Sequence, residues 1–201
     1  MGKSHDIRRQ EIVEATLELA AEQGIKNLTT QAIAARVGIA QPTIFRHFKS
    51  RDAIFGAVVG WAADHLLQVL EQLEHEHTPP DDRLRRLLQQ QLAFIGKRRG
   101  IPRVVFSDRL QVESPALKAA VREIYQRLLV RIADLLEEGR VCGCFRADLD
   151  AEQGARYIGA LLQGTVMRWS IQDFSYPLET EAESLWSFLR PALERREVGE
   201  R

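Results

Sequence analysis

Thr43, Arg46, His47, Lys49 and Arg51 put a hydroxyl, an imidazole and three cationic side chains into nine consecutive residues. Groups of this kind, at this density, bind phosphate oxygens, and a run of them suits the backbone of a nucleic acid. Just ahead, Gln41 and Pro42 open the same segment, and Thr30 adds a second hydroxyl eleven positions earlier. Gln41 and Arg46 are long enough to approach base edges, glutamine being suited to adenine and arginine to guanine. Ile44, Phe45 and Phe48 are interleaved with the polar residues, and the first and last can anchor the segment inward.

Such side chains act together only if a rigid element aims them. Ile33 and Val37, four apart among Ala32, Ala34 and Ala35, predict a short helix with Arg36 turned outward. Gly38 then offers the left-handed residue that ends many helices. A second short helix opens at Gln41-Pro42-Thr43, where proline is tolerated because a first-turn N–H has no helical partner anyway. Two short helices joined by a glycine-containing turn form a helix-turn-helix, whose second helix enters the DNA major groove.

The run Thr29, Ile33-Ala34, Val37-Gly38-Ile39-Ala40, Pro42-Thr43-Ile44-Phe45-Arg46-His47-Phe48, Ser50-Arg51-Asp52 and Ile54 resembles the DNA-binding domain of the tetracycline-repressor (TetR) family of bacterial regulators. It departs from that pattern at Ala40 (usually a capping serine), Phe45 (usually tyrosine) and Arg51 (usually lysine). The resemblance implies an all-helical fold of about nine helices, with residues 1–50 as the DNA-binding domain and 51–201 for ligand binding and dimerisation. It implies phosphate contacts by Thr43 and His47, supported by Thr30 and Arg51, with Pro42, Arg46 and Lys49 in the same interface; of the two side chains long enough for base edges, Gln41 is assigned base reading, since Arg46 can equally serve the backbone. It further implies a dimeric repressor, bound to a palindromic operator and released by a small-molecule inducer.

Composition agrees with a protein that grips DNA at one end. Formal net charge is zero over 201 residues, but residues 1–51 hold eight Lys/Arg against five Asp/Glu, so the remainder is mildly acidic. Lys3, Arg8 and Arg9 lie at the start of the first helix, where an arm could meet DNA backbone. The polar start and the short, glycine-interrupted run Ile54–Ala63 point to a soluble cytoplasmic protein without a membrane partner. Cys142 and Cys144 provide no disulfide framework.

Downstream periodicity is helical throughout. Helices are expected over about 6–23, 51–74, 82–97, 100–110, 115–138 (stopping at Gly139), 151–172 and from about Leu178 into the charged tail beyond Pro191. The long helix after Ser50, about 36 Å at 24 residues, would tie the head to the body. Trp61, His65, Phe94, Phe106, Arg109, Tyr125, Tyr157, Gln163 and Trp169 come from different helices and could line an apolar pocket with a few polar anchors. Leu178, Ala182, Leu185, Trp186, Leu189 and Leu193, with Leu161 of the preceding helix, form one apolar side. The resemblance assigns that side to a dimer seam of the last two helices; an intramolecular core would give the same pattern.

Enzymatic function has no motif behind it: no Gly-x-Ser-x-Gly, phosphate loop or full metal site, and no cofactor is expected. Two alternatives stay open. One is a metal- or redox-responsive regulator of the same fold using His75, His77, Cys142 and Cys144; the other is a helical adaptor that no longer binds DNA.

Overall fold

The computed structural model of the chain describes residues 4–194. It contains α1 (His5–Gln23), α2 (Thr30–Val37), α3 (Gln41–His47), α4 (Arg51–Glu74), α5 (Pro80–Gly96), α6 (Gly100–Val105), α7 (Pro115–Cys142), α8 (Ala151–Ile171) and α9 (Glu181–Leu193). A π-helical turn, Arg109–Glu113, follows α6, and a 3-10 turn, Leu178–Thr180, precedes α9. No strand occurs among the described residues. Lys3 and the tail beyond residue 194 lie outside them.

The packing units do not follow a division at residue 50. One unit comprises Met1–His65 with Lys97–Glu123, the other Leu66–Gly96 with Ile124–Arg201. The chain passes between them within α4, between Gly96 and Lys97, and within α7. By length and composition alone α4 could cross a membrane, yet its Ile54, Phe55, Val58, Val59, Leu66, Val69, Leu70 and Leu73 are buried in the protein.

In the first unit, short-range signals set the helix ends. The Ser4 hydroxyl accepts the Ile7 N–H at 3.4 Å, the Thr29 hydroxyl accepts the Ala32 N–H at 3.1 Å, and the Ser50 hydroxyl accepts the Ala53 N–H at 3.1 Å. Gly38 ends α2 in the left-handed region, φ 73° and ψ 37°, and the next N–H, of Ile39, returns to the Ala34 carbonyl at 3.0 Å. α1 buries Ile12, Val13, Ala15, Leu17, Leu19 and Ala20, with Leu28, Ile33, Ile44 and Phe48 completing the core behind α2 and α3. α6 packs on α1 so closely that a Cβ on Gly100 would lie 2.1 Å from the Leu17 carbonyl oxygen.

α6 ends five residues before the expected Leu110. Ser107 is the reason: its hydroxyl donates to the Val104 carbonyl at 2.7 Å and accepts the Leu110 N–H at 3.3 Å. Such local side-chain bonds compete with helix propagation, and the chain resumes as the π turn.

In the second unit α5 buries Leu84, Leu87, Leu88 and Leu92 completely and packs against α8, α9 and the 3-10 turn. The apolar side of α9 faces this core. Leu178, Ala182, Leu185, Trp186, Leu189 and Leu193 are all buried within the single chain, and Leu161 is half-buried. The expected dimer seam is therefore corrected for the first six, which form an intramolecular core face; Leu161 is not enclosed with them.

α7 also departs from expectation by running through Gly139 to Cys142. Gly139 is there for packing, since a Cβ on it would meet the Phe145 ring at 2.1 Å. The chain turns instead at Gly143, φ +81°. α8 starts as expected, the Asp150 carboxylate accepting the Gln153 N–H at 2.9 Å. The reciprocal half of a capping box does not form, because the Gln153 side chain donates to the Tyr157 hydroxyl at 3.3 Å. Gly154 and Gly159 let α7 approach: a Cβ on either would come within 2.8 Å and 2.6 Å of Leu136 and Leu129.

Candidate nucleic-acid interface

α3 is seven residues long, has Ala40 before it and receives no side-chain cap. It is kept in place from inside, by fully buried Ile44 and by Phe48 just past its end. That anchoring leaves Gln41, Pro42, Phe45, Arg46 and Lys49 exposed, with Thr43 and His47 half-buried beside them. Arg46 and Lys49 carry cationic charge of the kind that meets phosphates, and Gln41 an amide of the kind that meets a base edge. Phe45 is 50% exposed. It belongs to this face too, as an apolar group of the kind that meets a thymine methyl; a tyrosine at its place in the resembled pattern was the available signal.

Both ends of α3 are held. At its start the Gln41 side-chain amide donates to the Thr30 hydroxyl at 2.9 Å. At its end Arg9 of α1 donates to the His47 carbonyl at 2.6 Å while its guanidinium lies 4.1 Å from the Phe48 ring centroid. Arg8 pairs with Glu11 at 2.8 Å, so these two arginines serve α1 and α3 rather than a free arm.

His47 stacks on His5, ring centroids 4.7 Å apart, with its Nδ1 buried and without a hydrogen-bond partner. Burial first, then the neighbouring His5, Arg46, Arg8 and Arg9, hold the imidazole below its ordinary value. It meets neutral pH uncharged, as a hydrogen-bonding group.

Arg51 is placed differently from expectation. Its guanidinium donates to the Ile25 carbonyl and lies over the Phe55 ring at 5.3 Å. It braces the turn after α1, a structural bond beside the expected support of a phosphate contact.

The nine pocket candidates fall into both units, and four of them are corrected. Tyr157 is 62% exposed and Gln163 is exposed. Trp169 is 1% exposed and is fixed in the core by an indole N–H bond to the Tyr176 carbonyl at 2.7 Å. Arg109 binds Asp52 at 2.9 Å and Glu113 at 3.0 Å, joining the π turn to the start of α4. In the first unit Trp61 lies 4.7 Å from the Arg98 guanidinium, Phe106 is half-buried, and burial followed by Arg98 lowers the His65 imidazole. In the second, Phe94 is buried and burial raises the half-buried Tyr125 phenol.

Sequence reasoning missed Gln91 on α5. It is buried and its Nε2 has no hydrogen-bond partner. A glutamine inside a leucine-rich helix carries no motif, so only burial singles it out. The second unit also has an open cleft of about 720 Å³ lined by Glu74, Arg83, Arg131, Asp134, Glu137 and Glu138 together with Pro80, Val141 and Cys142. Among the described residues no group of three or more His, Cys, Asp or Glu could hold a metal ion. His75 and His77 are exposed.

Comparison with known proteins matches both parts of the chain. Residues 12–58 match the model described as bacterial regulatory proteins, tetR family. Residues 80–185 match that of the tetracyclin repressor-like C-terminal domain. The nucleoid occlusion factor SlmA of Sodalis glossinidius is 26% identical over 183 residues, covering 90% of this chain and 92% of the relative. SlmA of Vibrio cholerae is 24% identical over 183 residues, covering 90% and 93%. Among solved structures, a TetR transcription regulator from Haloarcula marismortui superposes with TM-score 0.80 at 22% identity, covering 94% of this chain and 100% of its own. FadR from Bacillus subtilis in complex with stearoyl-CoA gives 0.75 at 22%, covering 92% and 99%. At these identities the structural likeness is one of fold.

Proposed function

The chain belongs to the tetR family of bacterial regulatory proteins, and from that premise we propose that it acts as a dimeric repressor, released from a palindromic operator by a small-molecule inducer. It is a DNA-binding regulator and not an enzyme. The observation that carries the operator reading is α3 itself. It presents Gln41, Phe45, Arg46 and Lys49 outward, while Thr30 and Arg9 hold its two ends. A helix fixed at both ends can discriminate base edges, because its side chains do not lose register on contact.

The dimer is supported by a second apolar stripe on α8. Tyr157, Ala160, Gly164, Met167 and Ile171 recur at helical spacing and are all exposed. A Cβ on Gly164 would meet nothing within the chain. On α9, Phe188 is 72% exposed. Exposed large apolar groups gathered on two adjacent helices are suited to a copy of the same surface. The inducer is supported by the buried Nε2 of Gln91, which has no hydrogen-bond partner within the chain, and by the stearoyl-CoA in the FadR neighbour. The inducer's chemical class stays unassigned.

The test is selection of duplexes from a random pool, followed by titration at several salt concentrations. A palindromic consensus bound by one dimer, with affinity falling as salt rises, supports the reading. Binding with no sequence preference, or none at all, overturns it; the second outcome would revive the adaptor. A second reading is favoured by the likeness to SlmA over 90% of the chain: nucleoid occlusion in place of transcriptional control. Mapping the chromosomal sites separates the two, since a repressor clusters at promoters and an occlusion factor does not.

A further inference from the structure

The second unit carries two thiols that operator binding does not use. Beyond Cys142 the chain folds back through Gly143, whose φ of +81° a residue with a Cβ rarely adopts. The fold-back brings the Cys144 sulfur to 2.6 Å from the Cys142 sulfur, both cysteines being free thiols. Cys142 is exposed and Cys144 half-buried. The turn is held on both sides. The Phe145 N–H donates to the Gly139 carbonyl at 2.9 Å and the Arg146 N–H to the Leu193 carbonyl at 2.9 Å, while the buried Phe145 ring fills the space over Gly139. Backbone bonds and core packing hold the backbone of the turn in place, so only one side-chain torsion of each cysteine is left to bring the sulfurs into contact.

We propose that Cys142 and Cys144 are a dithiol–disulfide site, oxidised within one chain by exchange with a low-molecular-weight disulfide. In the first step the Cys142 thiolate attacks one sulfur of the small disulfide. A Cys142–S bond forms, the small S–S bond breaks, and a small thiolate leaves and takes a proton from solvent. In the second step Cys144 gives up its proton, its sulfur attacks the Cys142 sulfur, and the second small thiolate is expelled and protonated. The protein dithiol loses two electrons and two protons, and the small disulfide becomes two thiols. Exposure makes Cys142 the entry thiol. Cys144 is the resolving one: its hydrogen bond with Cys142, and then burial, push its thiol up to about 11, which disfavours it as first attacker. The second step is unimolecular between groups already in contact, so it outruns release of the mixed disulfide. Two sulfurs with no third ligand nearby among the described residues do not make a metal site.

The experiment treats the full-length protein with oxidised glutathione, quenches by alkylation and reads the intact mass. Wild type should lose both thiols and the mass of two hydrogens, with no link between chains, and a reductant should restore it. Cys144→Ser should stop with one glutathione on Cys142. Cys142→Ser should leave Cys144 largely unmodified over the same time. Circular dichroism of both variants checks that each is folded. Wild type that keeps both thiols, accumulates glutathione on Cys142 beside a free Cys144, or links two chains overturns the proposal.

Discussion

Gln41 donates from its side-chain amide to the Thr30 hydroxyl at 2.9 Å, so the first residue of α3 is tied to the first residue of α2. The bond uses one of the two Nε2 hydrogens and orients the amide. A bidentate contact with adenine needs the carbonyl oxygen and one N–H; under the proposed function Thr30 is then a positioning residue whose bond leaves both available.

Gln41→Ala should lose roughly 1–3 kcal/mol on the cognate operator only, and relax preference at one base pair in each half-site. Thr30→Val should produce a smaller loss in the same direction. Titration of cognate and scrambled duplexes reads both. Wild-type affinity of Gln41→Ala for each duplex would remove Gln41 from base reading.

Arg51 and Arg46 should separate cleanly. Arg51→Ala removes a charged donor from the Ile25 carbonyl and should cost roughly 1–3 kcal/mol of stability in urea unfolding, with the salt dependence of DNA binding unchanged. Arg46→Ala should leave stability alone and reduce the slope of log affinity against log salt by about one. A lowered slope in Arg51→Ala with unaltered stability would return Arg51 to the phosphate contacts.

His47 makes stability pH-dependent. Its folded value lies below the ordinary 6.5, so as pH falls from there the unfolded chain takes up the proton first. Stability is fully present above that pH and is lost as pH falls toward the folded value. His47→Gln should flatten this part of the curve in urea titrations between neutral and mildly acidic pH. An unchanged curve would assign the effect to another group.

The exposed face of α8 and α9 and the buried side of α9 should answer differently to charge. Phe188→Glu and Ile171→Glu should give folded monomers with weakened operator binding, because one head meets half of a palindrome. Leu189→Glu and Trp186→Glu should unfold the chain, since an unpaired charge enters its core at a cost of several kcal/mol. Sedimentation and thermal melting distinguish the cases. A dimer from the Ile171→Glu, Phe188→Glu double variant would sink the proposed seam.

Much of the head was legible because its signals are local. Ser4, Thr29 and Ser50 each bond an N–H three residues on, and Gly38 turns the chain in its own backbone. Ile44 and Phe48 bury as the spacing predicts, which leaves Gln41, Arg46 and Lys49 outside. The bond of Arg51 was not legible, for the opposite reason. A cation beside a row of phosphate-binding residues reads as one more, and its actual partner, the Ile25 carbonyl, is 26 residues away.

By itself the amino-acid order determined that the chain is helical, where most helices begin, and that the second helix of the helix-turn-helix is the short one at Gln41. Those properties depend on backbone and side-chain interactions within a few residues. Tertiary structure alone decided the rest. Gly139 stays helical because Phe145 occupies the space a Cβ would need. The leucine side of α9 turns to α5 rather than to a second molecule, and Tyr157, Met167, Ile171 and Phe188 are left at the surface. Periodicity records that one face of a helix must leave water. Which surface receives it depends on contacts far apart in sequence, and those exist only once the chain has packed.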